Sequence, residues 1–292
     1  GLIVCFFIIV NLIPSILLFF TEPYSFTGKV ILLIFPLGMY LTVYSLLKNT
    51  GLLQLLLIPQ LIFNAFQIVV FYLFGESVIA ADMFLNLATT SVSEANELLN
   101  NLWPAIITVC MLYIPAIVIA AAACKQKTRL TTALRKKMAV AGIIIVILSY
   151  GLTFTANNKN TGEYRLRYDV FPVNIYYNLR FAVQKWNRSM LYPRTSMNFR
   201  FNAVKEKKAD NREIYVLVIG EAGRAANWSL WGYERETNPL LSRQQNLVLY
   251  KDAITQANAT HKSVPLMLSA ASADNFNMIY QQKSIIEAFK ET

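Results

Sequence analysis

The chain has 292 residues, of which 55% are hydrophobic and only 15% charged, with a mean hydropathy of +0.40. That combination excludes an ordinary soluble domain and a disordered chain alike. The net charge of +10 is unevenly placed: residues 1–155 hold 8 basic and 5 acidic groups, residues 156–292 hold 19 and 12. Length and this step in composition predict two parts, one in lipid and one in water.

In chain order, residues 2–20, 30–47, 52–74, 105–124 and 138–155 are apolar runs long enough, or nearly so, to cross about 30 Å of hydrocarbon at 1.5 Å per residue. They predict a five-helix transmembrane bundle over 1–155. The first run lacks a basic leader and a small-residue cleavage site, so it reads as an anchor rather than a signal peptide. The segment 125–137 carries six basic and no acidic residues, whereas 75–103 carries Glu76, Asp82, Glu94 and Glu97 and no basic residue. Positive charge marks the cytoplasmic side, which places the N-terminus inside and everything after about residue 156 outside. Cys5, Cys110 and Cys124 all lie in apolar runs and suggest neither a disulfide framework nor a metal site. Asn11, Gln60, Asn64 and Gln67 and four prolines interrupt the spans. Uncharged as they are, they read as interhelical hydrogen bonds and tolerated kinks rather than a transport path.

Between the third and fourth spans, at 75–103, a loop helix is expected. Its polar residues Asn86, Thr90, Glu94 and Glu97 recur at spacings of four, four and three, one stripe of an α-helix. A carboxylate, an amide and a hydroxyl on one face suit a cationic, hydrogen-bonding head group. Ser91 and Glu94 equally fit a capping box that restarts the helix. Residues 156–212 are basic and aromatic, a composition shared by nucleic-acid binders. Leaving a membrane span on its outer side, however, the segment reads as a linker hugging anionic lipid, with no nucleic acid as partner. Its end, 205–213, reads as an exposed hinge.

The aqueous part, 213–292, opens with six apolar residues, 214–219, bounded by Gly220. This is the pattern of a buried parallel strand, with Glu221 at its carboxyl end, where ligands bind in α/β sheets. A second strand is expected over 247–253, and a helix over 263–272 with Thr260 at or just before its first turn. A carboxylate can hold a divalent ion, and the ion together with a helix N-terminus can stabilise a threonine alkoxide as nucleophile. A plain helix-capping threonine and a solvent-facing loop carboxylate account for the same residues.

The stretch GEAGRAANWSLWGYERETNP at 220–239, followed by ATHKSVPLMLS at 259–269, resembles the phosphoethanolamine transferases of Gram-negative bacteria, the lipid A modifying and mobile colistin resistance type of the sulfatase and alkaline phosphatase superfamily. The resemblance extends to the five-span half and to the loop pattern formed by Met83, Asn86, Thr90 and Glu94. It implies an α/β sulfatase-like domain beginning at 213 and a zinc-dependent enzyme of the bacterial inner membrane. Glu221 would be a zinc ligand, and Thr260 both the nucleophile and a zinc contact. Asn86, Thr90 and Glu94 would hold the phosphatidylethanolamine donor, and lipid A or a related glycolipid would be the acceptor.

There are departures. Gln256 and Leu266 stand where many members carry a disulfide, so packing must hold the nucleophile loop. His261 stands where a small residue is usual. The later histidines that complete the family's zinc site do not occur before Thr292, so the resemblance implies that residues 1–292 form a fragment, inactive and weak in zinc binding by itself. The alternatives are a phosphoglycerol transferase of the lipoteichoic acid synthase type and a non-catalytic membrane scaffold.

Overall fold

The computed structural model describes residues 1–75, 78–156, 164–204, 214–220, 223–250 and 252–292, apart from the side chains of Thr89 and Glu94. The chain divides into two compact units, Gly1–Gln184 and Lys185–Thr292.

The first unit is helical. Helices α1 (Leu2–Thr21), α2 (Phe26–Leu46), α7 (Trp103–Lys125) and α8 (Thr132–Ala156) are each long and apolar enough to cross a membrane. The remaining expected span is a bent pair, α3 (Thr50–Leu56) and α4 (Ile58–Phe74), which meet at 58°. Pro59 explains the break: in the first turn of α4 its missing N–H costs nothing, whereas in a helix running on from α3 it could not donate to the Leu55 carbonyl and its ring would clash with it. The spans are thus four, or five when the bent pair counts as one. Ile143, Ile144, Ile147 and Leu148 on α8 and Met111 and Val118 on α7 stay exposed, an apolar surface that suits lipid.

Helices α2 and α8 run antiparallel. Arg135, in the first turn of α8, donates to the carbonyls of Ser45 (2.8 Å) and Leu46 (2.6 Å) at the end of α2. At the opposite end Ser25 Oγ donates to the Ala156 carbonyl at 3.1 Å. A cation on the last carbonyls of a helix satisfies acceptors that the helix cannot and complements its dipole. The α2–α3 connection and the basic loop also join through the Asn49–Arg129 bridge and Leu130 N–H to Lys48 O at 2.9 Å. Lys48 and the basic loop 125–137 therefore share one end of the bundle. Close packing depends on small residues: a Cβ on Gly142 would lie 2.7 Å from Gly38 O, and one on Gly51 2.8 Å from the carbonyl carbon of Ala123 in α7.

The polar residues inside the spans are buried and bonded between helices, as the sequence reading expects. Asn11 Nδ2 donates to Gln54 Oε1 at 3.1 Å, Asn64 Nδ2 to Asn11 Oδ1 at 3.2 Å, and Gln60 Nε2 to Asn64 Oδ1 at 2.8 Å. Tyr44 also donates to Gln54. In hydrocarbon each amide left unpaired costs several kcal/mol (~2–7), so this chain of amides fixes how α1, α3 and α4 face one another.

The segment expected as a surface linker is more ordered than the composition implies. It forms α9 (Leu166–Asp169) and the long helix α10 (Val173–Thr195), with Val170, Phe171 and Ile175 fully buried in a core shared with Leu18, Ile31 and Leu32. Asp169 accepts from Tyr24 Oη at 2.9 Å and from Arg165 N–H at 2.5 Å. Burial raises its carboxyl above the usual carboxylate range, and these two donors partly oppose the rise. The expected hinge, 205–213, lies outside the described residues.

In the second unit the expected strands do not form: residues 214–220 and 247–250 have no regular structure, and no strand is present among the described residues. Val216 and Val218 are 80% and 83% exposed. A strand gains its hydrogen bonds only from neighbours, and no described residue forms a ladder with this run, so its apolar pattern finds no sheet to enter. Besides the last turns of α10, the described residues of the unit form short 3₁₀ turns, α11 (Thr260–Leu268) and α12 (Ile285–Glu291).

Candidate functional site

The loop residues sit on two helices rather than one. Helix α5 (Ala81–Thr89) ends at Thr90, whose backbone is extended, and α6 (Val92–Asn101) begins two residues later. Thr90 turns back on α5, its N–H and hydroxyl both donating to Asn86 O at 2.9 and 2.7 Å. With the Thr90 backbone extended, Ser91 takes the capping position of α6, its carbonyl accepting from Ala95 N–H at 2.9 Å. The single stripe expected over Asn86, Thr90 and Glu94 is corrected to a break. Asn86 and Thr90 remain together and exposed at the end of α5, while Glu94 falls in the first turn of the next helix. Helix α5 is held to the bundle by Phe84, whose ring meets Phe66 and Phe63 of α4 edge-on at 5.7 and 6.3 Å.

In the second unit Thr260 is the first residue of α11, one turn earlier than the helix expected from sequence, and it is exposed. Ala259 caps the helix with extended backbone and no side-chain hydrogen bond. The Thr260 and His261 amides in the first turn precede the first intrahelical bonds, which run from Lys262 and Ser263 N–H to Ala259 O at 2.9 Å. A hydroxyl beside first-turn amides at a helix N-terminus is an arrangement that suits a phosphoryl group. The helix rests on Leu266, 7% exposed. Gln256, one of the two positions where the resemblance leads one to expect a disulfide, instead accepts at Oε1 from Ala273 N–H at 2.7 Å. A hydrogen bond joins packing in holding this loop, a contribution the sequence reading missed. A glutamine near a helix-preceding turn was the available signal.

The motif at 223–239 is a closed loop stitched by its own polar side chains. Thr237 Oγ1 donates to Asn227 O (2.8 Å) and accepts from Ser229 N–H (2.9 Å), and Ser229 Oγ accepts from Asn238 N–H (3.2 Å). Trp228 and Trp231 stack edge-to-face at 5.4 Å, and Gly232 turns the chain at φ 96°. These bonds explain why Ser, Thr, Asn and Gly recur at these spacings. Glu221 lies outside the described residues. Among the described residues no three His, Cys, Asp or Glu gather into a group able to hold a metal, so these residues alone do not compose a zinc site. Thr260 and Asn86 belong to different units.

An apolar helical unit with a polar loop, followed by a second unit that contains a G-E-x-x-R motif at 220–224, points to a membrane protein with a sulfatase-type segment, and the sulfatase family pattern matches residues 213–291. Three relatives narrow this. The Escherichia coli (strain K12) protein named "Putative transferase YhbX" is 32% identical over 146 residues, 46% of this chain and 26% of that protein. Phosphoethanolamine transferase EptA of the same strain is 38% identical over 65 residues, 22% of this chain and 12% of EptA. Phosphatidylethanolamine transferase Mcr-1 of Escherichia coli is 32% identical over 88 residues, 30% and 16% of the two chains. The chain spans about a quarter of the length of YhbX that it matches, and less of the other two. No solved structure matches. Over these stretches the chain is similar to proteins named as phosphoethanolamine transferases, in line with the resemblance of the motif at 220–239.

Proposed function

We propose that the protein carrying this sequence transfers phosphoethanolamine from phosphatidylethanolamine to a glycolipid acceptor of the lipid A type, at the outer face of a bacterial inner membrane. The observation that supports this most directly is the exposed hydroxyl of Thr260 at the N-terminus of α11, within a sulfatase-type segment whose relatives are named for this transfer. In the first step Thr260 Oγ attacks the donor phosphorus, the bond to the diacylglycerol oxygen breaks, and that oxygen takes a proton. In the second, an acceptor phosphate oxygen attacks the same phosphorus and Thr260 leaves as the free hydroxyl. The first-turn amides of α11 would stabilise charge on the phosphoryl oxygens in both steps. Zinc belongs to the proposal through the resemblance: Glu221 and Thr260 are the residues that would hold it, and it would supply charge neutralisation at the nucleophile. The α/β core around residue 214 is part of the same proposal.

The test is the mass of the Thr260 peptide after incubation with phosphatidylethanolamine vesicles. Addition of a phosphoethanolamine group is expected. An unmodified peptide during active turnover would sink the mechanism, and a phosphoglycerol adduct would reassign the donor.

The polar loop should act on donor use. Asn86→Ala and Glu94→Ala are expected to slow phosphatidylethanolamine turnover about tenfold with bound zinc unchanged, each removing roughly 1–1.5 kcal/mol of head-group interaction. Unfolding of both variants would instead point to the capping role of the Ser91–Glu94 pair.

Orientation is also proposed, from the basic loop. A cysteine placed at Thr131 should resist an impermeant thiol reagent in intact cells while one at Asn246 reacts. The reverse pattern would overturn the orientation.

A further inference from the structure

The root of the loop that carries Asn86 and Thr90 is gripped at one residue. Ile79, two residues before α5 begins, is fully buried. Its N–H donates to Gln67 Oε1 of α4 at 3.1 Å, and its carbonyl accepts two amide hydrogens from α10, Asn178 Nδ2 at 2.7 Å and Asn174 Nδ2 at 3.2 Å. All three amide side chains are buried: Gln67 is 2% exposed, Asn174 0% and Asn178 7%. Two donors on one carbonyl use both of its lone pairs. Asn174 Oδ1, buried as well, has no hydrogen-bond partner. A buried acceptor left unmet is costly, so Asn174 is placed there for what its nitrogen does to Ile79.

We propose that Gln67, Asn174 and Asn178 are positioning residues for the lipid donor: they fix the backbone of Ile79 on both sides of its Cα and thereby set where α5 presents Asn86 and Thr90. The packing of Phe84 on Phe63 and Phe66 holds α5 against α4 but is not directional, so on its own it leaves α5 free to slide and turn. Hydrogen bonds at a backbone N–H and C=O on either side of one Cα fix both position and angle. The inference rests on the donor reading of Asn86 and Thr90 given above.

The experiment compares Asn178→Ala and Asn174→Ala with the parent, each leaving the other amide in place so that the fold survives. Donor kinetics are measured with vesicles of phosphatidylethanolamine, and amide hydrogen exchange across 81–90 is followed in the same preparations. The expected result is a KM for phosphatidylethanolamine raised roughly three- to tenfold, the loss of about one hydrogen bond, with kcat at saturating donor unchanged. Exchange should be faster in 81–90 and unchanged elsewhere in residues 1–156. A merely structural pair of amides would lower the thermal midpoint and leave KM alone, and that outcome overturns the inference. Unchanged exchange in 81–90 overturns it too. If Asn86→Ala raises KM while Asn178→Ala and Asn174→Ala do not, the inference fails and the donor reading stands. If none of the three moves KM, the donor reading itself has failed and the inference falls with it.

Discussion

Thr260→Ala is expected to abolish transfer in the complete protein, lowering turnover by at least about a thousandfold, with little loss of stability. With Thr260 as the nucleophile proposed above, its removal would leave no route to the phosphorylated intermediate, and the residual rate would be that of the remaining electrostatic environment. The structural cost is small for a stated reason. Thr260 is the first helical residue and not the cap, it makes no side-chain capping bond, and its side chain is exposed, so the alanine variant should lose less than the ~1 kcal/mol typical of a true cap residue. Thr260→Ser keeps a hydroxyl and should keep measurable activity. The check is phosphatidylethanolamine turnover alongside the thermal midpoint. Transfer at the parental rate in the alanine variant would remove Thr260 from the mechanism, whereas loss of activity together with unfolding would show that the hydroxyl holds α11 rather than reacts.

What the sequence disclosed and what it concealed divide along physical lines. The spans were legible because lipid forces every backbone group to be satisfied within its own helix, which makes a run of about 20 apolar residues nearly sufficient. The buried amides of Asn11, Gln60 and Asn64 followed for the same reason. The run 214–219 reads as a strand but has no regular structure, and residues 214–218 are exposed, since a strand is completed by partners that its own residues do not encode. The loop stripe failed at a single residue: spacing alone cannot tell that Thr90 takes extended backbone and closes α5. Helix α10 was hidden by composition, because its basic and aromatic residues suggested a membrane-surface linker. Ile175, Asn178 and Ala182, all buried, lie at spacings of three and four and mark a helical face. Two of the buried residues on that face region, Asn174 and Asn178, are polar, so the face does not register as apolar, and it is these amides that reach Ile79.

The crossing of α2 and α8 depends on the absence of two side chains. A Cβ on Gly142 would lie 2.7 Å from Gly38 O and 2.8 Å from Thr42 N, and one on Gly38 would lie 2.9 Å from Gly142 O. These obstacles are backbone atoms, which cannot rotate away as a side-chain end can, so the helices themselves would have to separate. In lipid the helices gain little from the hydrophobic effect between them and adhere through close packing, so separation removes most of what joins them. It would also strain the hydrogen bonds at both ends, Arg135 to Ser45 and Leu46 and Ser25 to Ala156. Gly142→Leu is therefore expected to destabilise by more than the ~1–3 kcal/mol of ordinary overpacking, seen as loss of a monodisperse species and a fallen thermal midpoint in detergent, with transfer lost as a consequence. Gly151 lies on the same helix, and a Cβ there would meet nothing within 4 Å, so Gly151→Leu should be tolerated. Equal damage from both substitutions would mean that α8 is sensitive to helix content rather than to its contact with α2, and the small-residue crossing would then not be what holds this pair together.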